Sequence, residues 1–187
     1  MISKEQIRSD FIKRDNGTLE DRVERWSQMK PAAYCEALPA LVWDYLIEVD
    51  EMYIRGHFIA TIILCATTLE IVIAHRLKSL KDSPWKPKQD FKQMIDLAHE
   101  YQEINSDETA SLHDLRELRN VLVHGSVNKL DKMTKIKYEM TGVDEENSRV
   151  LLYIHSISNH GIDKNAFECV ELTRDLTLKF YGEHLGR

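Results

Sequence analysis

The fold of this chain is decided by residues 58–80, which read FIATIILCATTLEIVIAHRLKSL. Large apolar residues recur in this stretch at intervals of three and four, and small residues occupy much of the remaining helix surface. The most apolar part, Phe58 to Ala74, is 17 residues long and contains Glu70. A membrane-spanning helix needs roughly 20 apolar residues. We therefore expect a helix buried at the centre of a protein, and no membrane span.

Helical spacing continues on both sides of this segment. Apolar residues recur at helical intervals over 32–53, and the regular part of that helix is expected to begin at Pro39. A second pattern covers 91–104, after a loop that contains two prolines. A last pattern runs to about Gly182, and Asp163 can cap its first turn. These patterns predict several helices around the apolar one.

A further helix, predicted over 107–124, has a sequence signal at each end. Asn105 and Glu108 have the spacing of a capping box, and Ser106 is an equally suitable N-cap. Gly125 stands where the residue after a helix often adopts a left-handed conformation. The two ends therefore bound a single helix.

Two regions depart from this helical rhythm. Residues 1–30 are charge-rich with only a weak helical pattern, and we expect an N-terminal helical arm there, followed by one domain over 31–187. Residues 134–157 alternate polar and apolar side chains around a turn-rich stretch and predict a small β-hairpin insertion. The expected fold class is mainly α: an antiparallel helical bundle with a hairpin before the last helix.

Composition limits the class of protein. The 187 residues are 43% hydrophobic and 30% charged, which fits one soluble globular domain and excludes a disordered or collagen-like chain. The net charge of −6 requires any nucleic-acid site to be a local patch. Three widely spaced cysteines without a Cys-x-x-Cys pair predict neither a disulfide framework nor a zinc site. Because no signal-peptide run is present, we expect a cytoplasmic protein. We also expect no metal and no cofactor.

The helix 107–124 carries the candidate functional residues. Near its end Arg119 emerges among leucines, where a partly desolvated guanidinium needs an acidic or phosphate partner. Glu70 is the internal candidate, because it is the only charged residue in the long apolar segment. His124 stands at the helix terminus, where the helix dipole favours a protonated imidazole. Asn120, one turn earlier, can hydrogen-bond a phosphate or the ring of His124.

Two other features of this helix admit simpler interpretations. Arg116 shares a polar stripe with Asn120 and His124, and that stripe is either a functional surface or an ordinary solvent-exposed face. His113 and Glu117 have the i, i+4 spacing of metal ligands. Since no third ligand lies at a suitable spacing, we expect no metal site.

These residues carry a family resemblance. Arg119-Asn120-x-x-x-His124 matches the Arg-polar-x-x-x-His signature of the HEPN superfamily, and the segment from Gly56 to Glu70 resembles the first core helix of its members. The resemblance covers roughly residues 38–126 and the last helix, and it implies an all-α bundle that commonly dimerises. Many members are metal-independent endoribonucleases that act as toxins or defence effectors. Others are non-catalytic binding modules.

The resemblance implies a role for each residue. Arg119 would hold the phosphate, Asn120 would orient it and His124 would move the proton, with Glu70 and Arg116 in supporting positions. Arg119 and His124 are separated by about 140° around one helix, so we expect a homodimer that combines two helix ends in one cleft. The alternative is a scaffold in which Arg119 and Glu70 lock two helices together. Such a scaffold would bind RNA, a nucleotide or a protein partner without cutting. An antitoxin or another protein is a further candidate partner of the chain.

Two local excesses of basic residues could guide RNA toward this motif. Residues 76–92 hold six basic and two acidic side chains, with Trp85 as a candidate stacking surface or a simple loop anchor. Residues 129–137 hold four lysines and one aspartate. Such runs often form only a solvated face. The candidate RNA-binding residues are Lys86, Lys88, Lys129 and Lys132.

Overall fold

The computed structural model describes residues 19–29, 38–81, 85–124 and 162–182. Helices make up 83% of these residues, and none of them lies in a strand. The helices are α1 (19–28), α2 (Ala40–Ile54), α3 (Phe58–Ser79), α4 (Phe91–Glu100), α5 (Ser106–His124) and α6 (Ile162–Tyr181). The mainly helical fold expected from the sequence is confirmed. The expected hairpin over 134–157 lies outside the described residues.

Helix α3 lies at the centre of the bundle and packs against α2, α4, α5 and α6. Its fully buried side chains include Ile62, Leu69 and Ile73. The hydroxyl of the buried Thr68 donates to the carbonyl oxygen of Leu64 over 2.8 Å, so the buried polar group is satisfied within the helix. The helix is long and apolar enough to cross a membrane by length and composition alone. In this structure the helix packs against four neighbouring helices, and nine of its 22 residues are buried.

The corner between α2 and α3 is made by a single glycine. Gly56 has φ of +77°, a left-handed conformation that favours glycine, and the next residue, His57, donates its backbone N–H to Met52 over 2.8 Å. Pro39 precedes α2, as the sequence predicted. The tight corner places α2 and α3 side by side.

Helix α1 attaches to this corner by its polar side. The Nε of Arg25 donates to the carbonyl oxygen of Ile54 over 2.9 Å, and its guanidinium lies 5.7 Å from the centroid of the Phe58 ring. On the opposite side, three large apolar side chains are 54–67% exposed: Leu19, Val23 and Trp26. The weak helical pattern in the charge-rich N-terminal region therefore corresponds to a helix whose apolar stripe faces outward.

Helices α4 and α5 form a hairpin. Asp90 and Gln93 make a capping box at the start of α4, and Asn105 and Glu108 make another at the start of α5. The N-cap of α5 is thus Asn105, while Ser106 is the first helical residue. Helix α4 ends at Glu100, four residues earlier than the pattern over 91–104 indicated, because residues 101–105 form the turn.

The α4–α5 hairpin has a closed end, at the turn over 101–105, and an open end, where the two helices are not joined. Asp96 of α4 contacts His113 of α5 over 3.0 Å. Arg76, near the end of α3, pairs with Glu103 in the turn over 2.6 Å. The end of α3 therefore lies at the closed end of the hairpin, whereas the loop before α4 and the last turns of α5 lie at its open end.

Helix α6 is fastened to α2 by a buried ion pair. Arg174 donates to Asp50 over 2.7 Å, with 10% and 24% of the two side chains exposed. Burial raises the pKa of Asp50 above its ordinary value, against the opposing effect of Arg174. Asp163 lies within the first turn of α6 and not before it, since the helix begins at Ile162.

We predict that Asp50→Asn lowers the free energy of unfolding by about 1–2 kcal/mol, because it replaces the charge-assisted hydrogen bond from Arg174 to the carboxylate by a weaker one to a neutral amide. Urea denaturation followed by circular dichroism measures the change. Glu51→Gln is the control, because it removes an exposed carboxylate whose partner Arg55 directly follows the same helix. Its expected effect is below about 0.5 kcal/mol. Equal losses in the two variants would contradict the prediction.

Candidate functional site

The site is centred on Arg119, near the C-terminal end of α5. Its Nη2 lies 3.9 Å from Oε2 of Glu70 on α3, and the exposed fractions of the two side chains are 32% and 36%. The contact predicted from the sequence is therefore present. At this distance and exposure the pair is weak, because solvent screens both charges. The guanidinium thus contacts Glu70 and stays accessible to solvent.

Asn120 is the second contact of Arg119. Its Oδ1 accepts a hydrogen bond of 3.2 Å from Nη1 of Arg119, and its side chain is half-buried. The two residues are adjacent in sequence, so the bond spans the surface of a single helix. His124 is the last residue of α5, five positions after Arg119. The backbone of the helix therefore carries all three motif residues within its last two turns.

The polar stripe of α5 is not a simple solvent-exposed face. Toward its start, His113 reaches across to Asp96 of α4, which accounts for that side chain without a metal. Arg116 is only 22% exposed, and its Nη2 lies 3.7 Å from Glu117. In the described part of the chain, no group of three or more His, Cys, Asp or Glu residues could hold a metal ion.

The basic residues of 76–92 are divided between two ends of the hairpin. Arg76 is paired at the closed end with Glu103. Lys86 and Lys88 are exposed in the loop before α4. Trp85 packs against the core, as a loop anchor does. Two further predicted RNA-binding residues, Lys129 and Lys132, lie outside the described ranges.

The structure also contains a groove that the sequence did not predict. A groove of about 530 Å³ runs between α5 and α6. Its lining residues are Ser111, Asp114, Leu115, Glu117 and Leu118 from α5, and Asn165, Glu168, Cys169 and Leu172 from α6. The sequence signal for this groove was that acidic residues directly precede leucines in α5. The sequence does not show that α6 faces them.

The described cysteines are buried and unreactive by environment. Burial raises the pKa of Cys65 to about 12, and it also raises the pKa of Cys169 at the groove. Neither thiol is therefore a candidate nucleophile at neutral pH.

No protein-family model, curated protein or solved structure matches this chain. Within the described residues, the geometry brings together two motif side chains, Arg119 and Asn120, and an acidic partner from α3.

We predict a coupling free energy of about 0.2–1 kcal/mol between Arg119 and Glu70, because both side chains are partly exposed. The measurement is a double-mutant cycle with Arg119→Gln, Glu70→Gln and the double variant, each unfolded in urea. Glutamine keeps most of the packing volume, so the cycle isolates the charge interaction. A coupling above about 2 kcal/mol would instead make the pair a structural lock.

Proposed function

We propose that this chain is a metal-independent endoribonuclease of HEPN type that acts as a homodimer. One observation carries the proposal: Arg119 lies partly exposed near the end of α5, where it is hydrogen-bonded to the Asn120 side chain and forms only a weak ion pair with Glu70. A guanidinium held in place but still accessible can exchange a weak carboxylate contact for two hydrogen bonds to a phosphate. The proposed catalytic residues are Arg119, Asn120 and His124.

The reaction needs no metal. The RNA 2′-hydroxyl loses its proton and its oxygen bonds to the adjacent phosphorus, while the bond from phosphorus to the 5′-oxygen breaks and that oxygen takes a proton. The products are a 2′,3′-cyclic phosphate and a 5′-hydroxyl end. The imidazole of His124 moves the proton. Arg119 stabilises the charge that gathers on the phosphorane oxygens, and Asn120 orients the phosphate.

The requirement for a dimer follows from helix geometry. Positions 119 and 124 are about 140° apart around an ideal helix, so a single α5 presents Arg119 and His124 poorly to one phosphate. Two copies with their α5 ends facing each other supply a guanidinium from one chain and an imidazole from the other. The basic loop with Lys86 and Lys88 adds contacts to the RNA backbone at the same end of the hairpin.

The second candidate function is a non-catalytic scaffold that binds RNA, a nucleotide or a protein partner. The contacts of Arg119 with Glu70 and Asn120 favour it, because they already satisfy part of the guanidinium within the chain. In this case the motif residues stabilise the helix pair and RNA stays intact. Action as a toxin or defence effector belongs to the first candidate.

We predict that the purified protein cleaves total RNA in EDTA and leaves 2′,3′-cyclic phosphate ends, which mass spectrometry of the fragments detects. Arg119→Ala and His124→Ala are each expected to lower the cleavage rate by about 100-fold or more, because each removes a group that acts in the transition state. Analytical ultracentrifugation measures the oligomeric state of every variant, so that loss of catalysis is separated from loss of the dimer.

Two matched variants control for charge and for folding. Arg55→Ala removes an exposed arginine paired along α2, and His57→Gln changes an exposed histidine at the start of α3. Both are expected to cleave RNA at the rate of the unmodified protein. RNA that stays intact with a well-folded dimer at high concentration would overturn the nuclease proposal and support the scaffold.

A further inference from the structure

The groove between α5 and α6 is a gap between two helices of the bundle. Both helices pack against α3. At one end they are fastened together by Lys179 of α6, which donates to Glu108 of α5 over 2.6 Å. From Ser111 to Leu118 the groove follows α5 for about 10 Å, which is two helical turns. It is therefore a straight channel between two antiparallel helices.

The floor of the groove is apolar. Leu115, Leu118 and Cys169 are at most 7% exposed, and Leu172 is half-buried, so Leu172 supplies most of the apolar surface that a bound helix can contact. In a bundle, a groove of this kind accepts the apolar ridge of another helix, whose side chains at i, i+3 and i+4 fit between those of the two helices.

The rim of the groove is acidic. Glu117 and Glu168 are 63% and 61% exposed, and Asp114 is exposed beside them. Among the described residues that line the groove there is no lysine or arginine. The neighbouring cations approach two of these carboxylates only at 3.7 and 3.8 Å, from Arg116 and Lys164. Such exposed pairs are weak, so cations from a partner can replace them.

We propose that this groove binds an amphipathic helix of a separate protein, with an apolar ridge flanked by lysines or arginines. An acidic rim repels nucleic acid and anionic lipid, and it favours a cationic partner. A second copy of this chain is a poor occupant. The exposed apolar stripe of α1 lies on a helix with three acidic and two basic residues, so it lacks the cationic flanks that would match the rim.

The groove is independent of RNA cleavage, although it lies on the helix that carries the proposed catalytic residues. Its last lining residue on α5, Leu118, directly precedes Arg119. A helix bound there would contact the two turns of α5 that directly precede Arg119. The protein partner is therefore defined by its chemistry: basic, helical and apolar along one side.

The test uses two synthetic helical peptides of about 14 residues with the same leucine ridge, one flanked by lysines and the other by glutamates. Fluorescence anisotropy measures binding to the full-length protein. The lysine peptide is expected to bind at least about tenfold more tightly than the glutamate peptide, a difference of about 1.4 kcal/mol. The triple variant Asp114→Asn, Glu117→Gln, Glu168→Gln is expected to weaken the lysine peptide by about tenfold.

A matched triple variant removes three exposed acidic residues elsewhere: Asp44→Asn, Glu48→Gln and Glu100→Gln. It changes the net charge equally and is expected to alter binding by less than about twofold. Leu172→Ala tests the apolar floor and is expected to weaken the lysine peptide by about tenfold. Equal weakening by the two triple variants, or unchanged binding to Leu172→Ala, would overturn the proposal. Because RNA cleavage is assayed separately, failure here leaves the proposed nuclease intact.

Discussion

Burial of α3 is the constraint on which the rest of the structure depends. The apolar side chains of this 22-residue helix, among them the fully buried Ile62, Leu69 and Ile73, leave solvent only where other helices pack on it, and α2, α4, α5 and α6 all do so. The positions of those four helices follow from this requirement. The position of the candidate site follows as well, because Glu70 projects from α3 and Arg119 from a helix packed on it.

Two arginine–carboxylate pairs in this fold have different consequences. Arg174 and Asp50 are largely buried and 2.7 Å apart, so they fasten α6 to α2 and their geometry leaves little room for a ligand. Arg119 and Glu70 are about one third exposed and 3.9 Å apart. The second pair orients a guanidinium at modest cost to its accessibility, which is what a phosphate-binding residue requires. Exposure and distance, and not residue type, separate the two roles.

Helix α5 separates two surfaces of opposite character. On the side of α4 it shares the open end of the hairpin with the exposed residues Lys86 and Lys88. On the side of α6 it contributes Asp114 and Glu117 to the acidic groove. Under the two proposals, a chain with a net charge of −6 presents a local basic surface to RNA and an acidic one to a basic helix. The proposed nuclease site and the proposed docking groove thus use different sides of one helix.

The sequence by itself determined the helical class, the central position of α3, the capping box of Asn105 and Glu108, and the Arg119–Glu70 contact. These depend on local spacing or on a charge that has one available partner in an apolar helix. Only the tertiary structure decided that His113 meets Asp96, that the stripe of α1 faces outward, and that α5 and α6 leave a groove. Helical periodicity states which residues share a face but not which element that face meets, since packing between distant segments selects the neighbour.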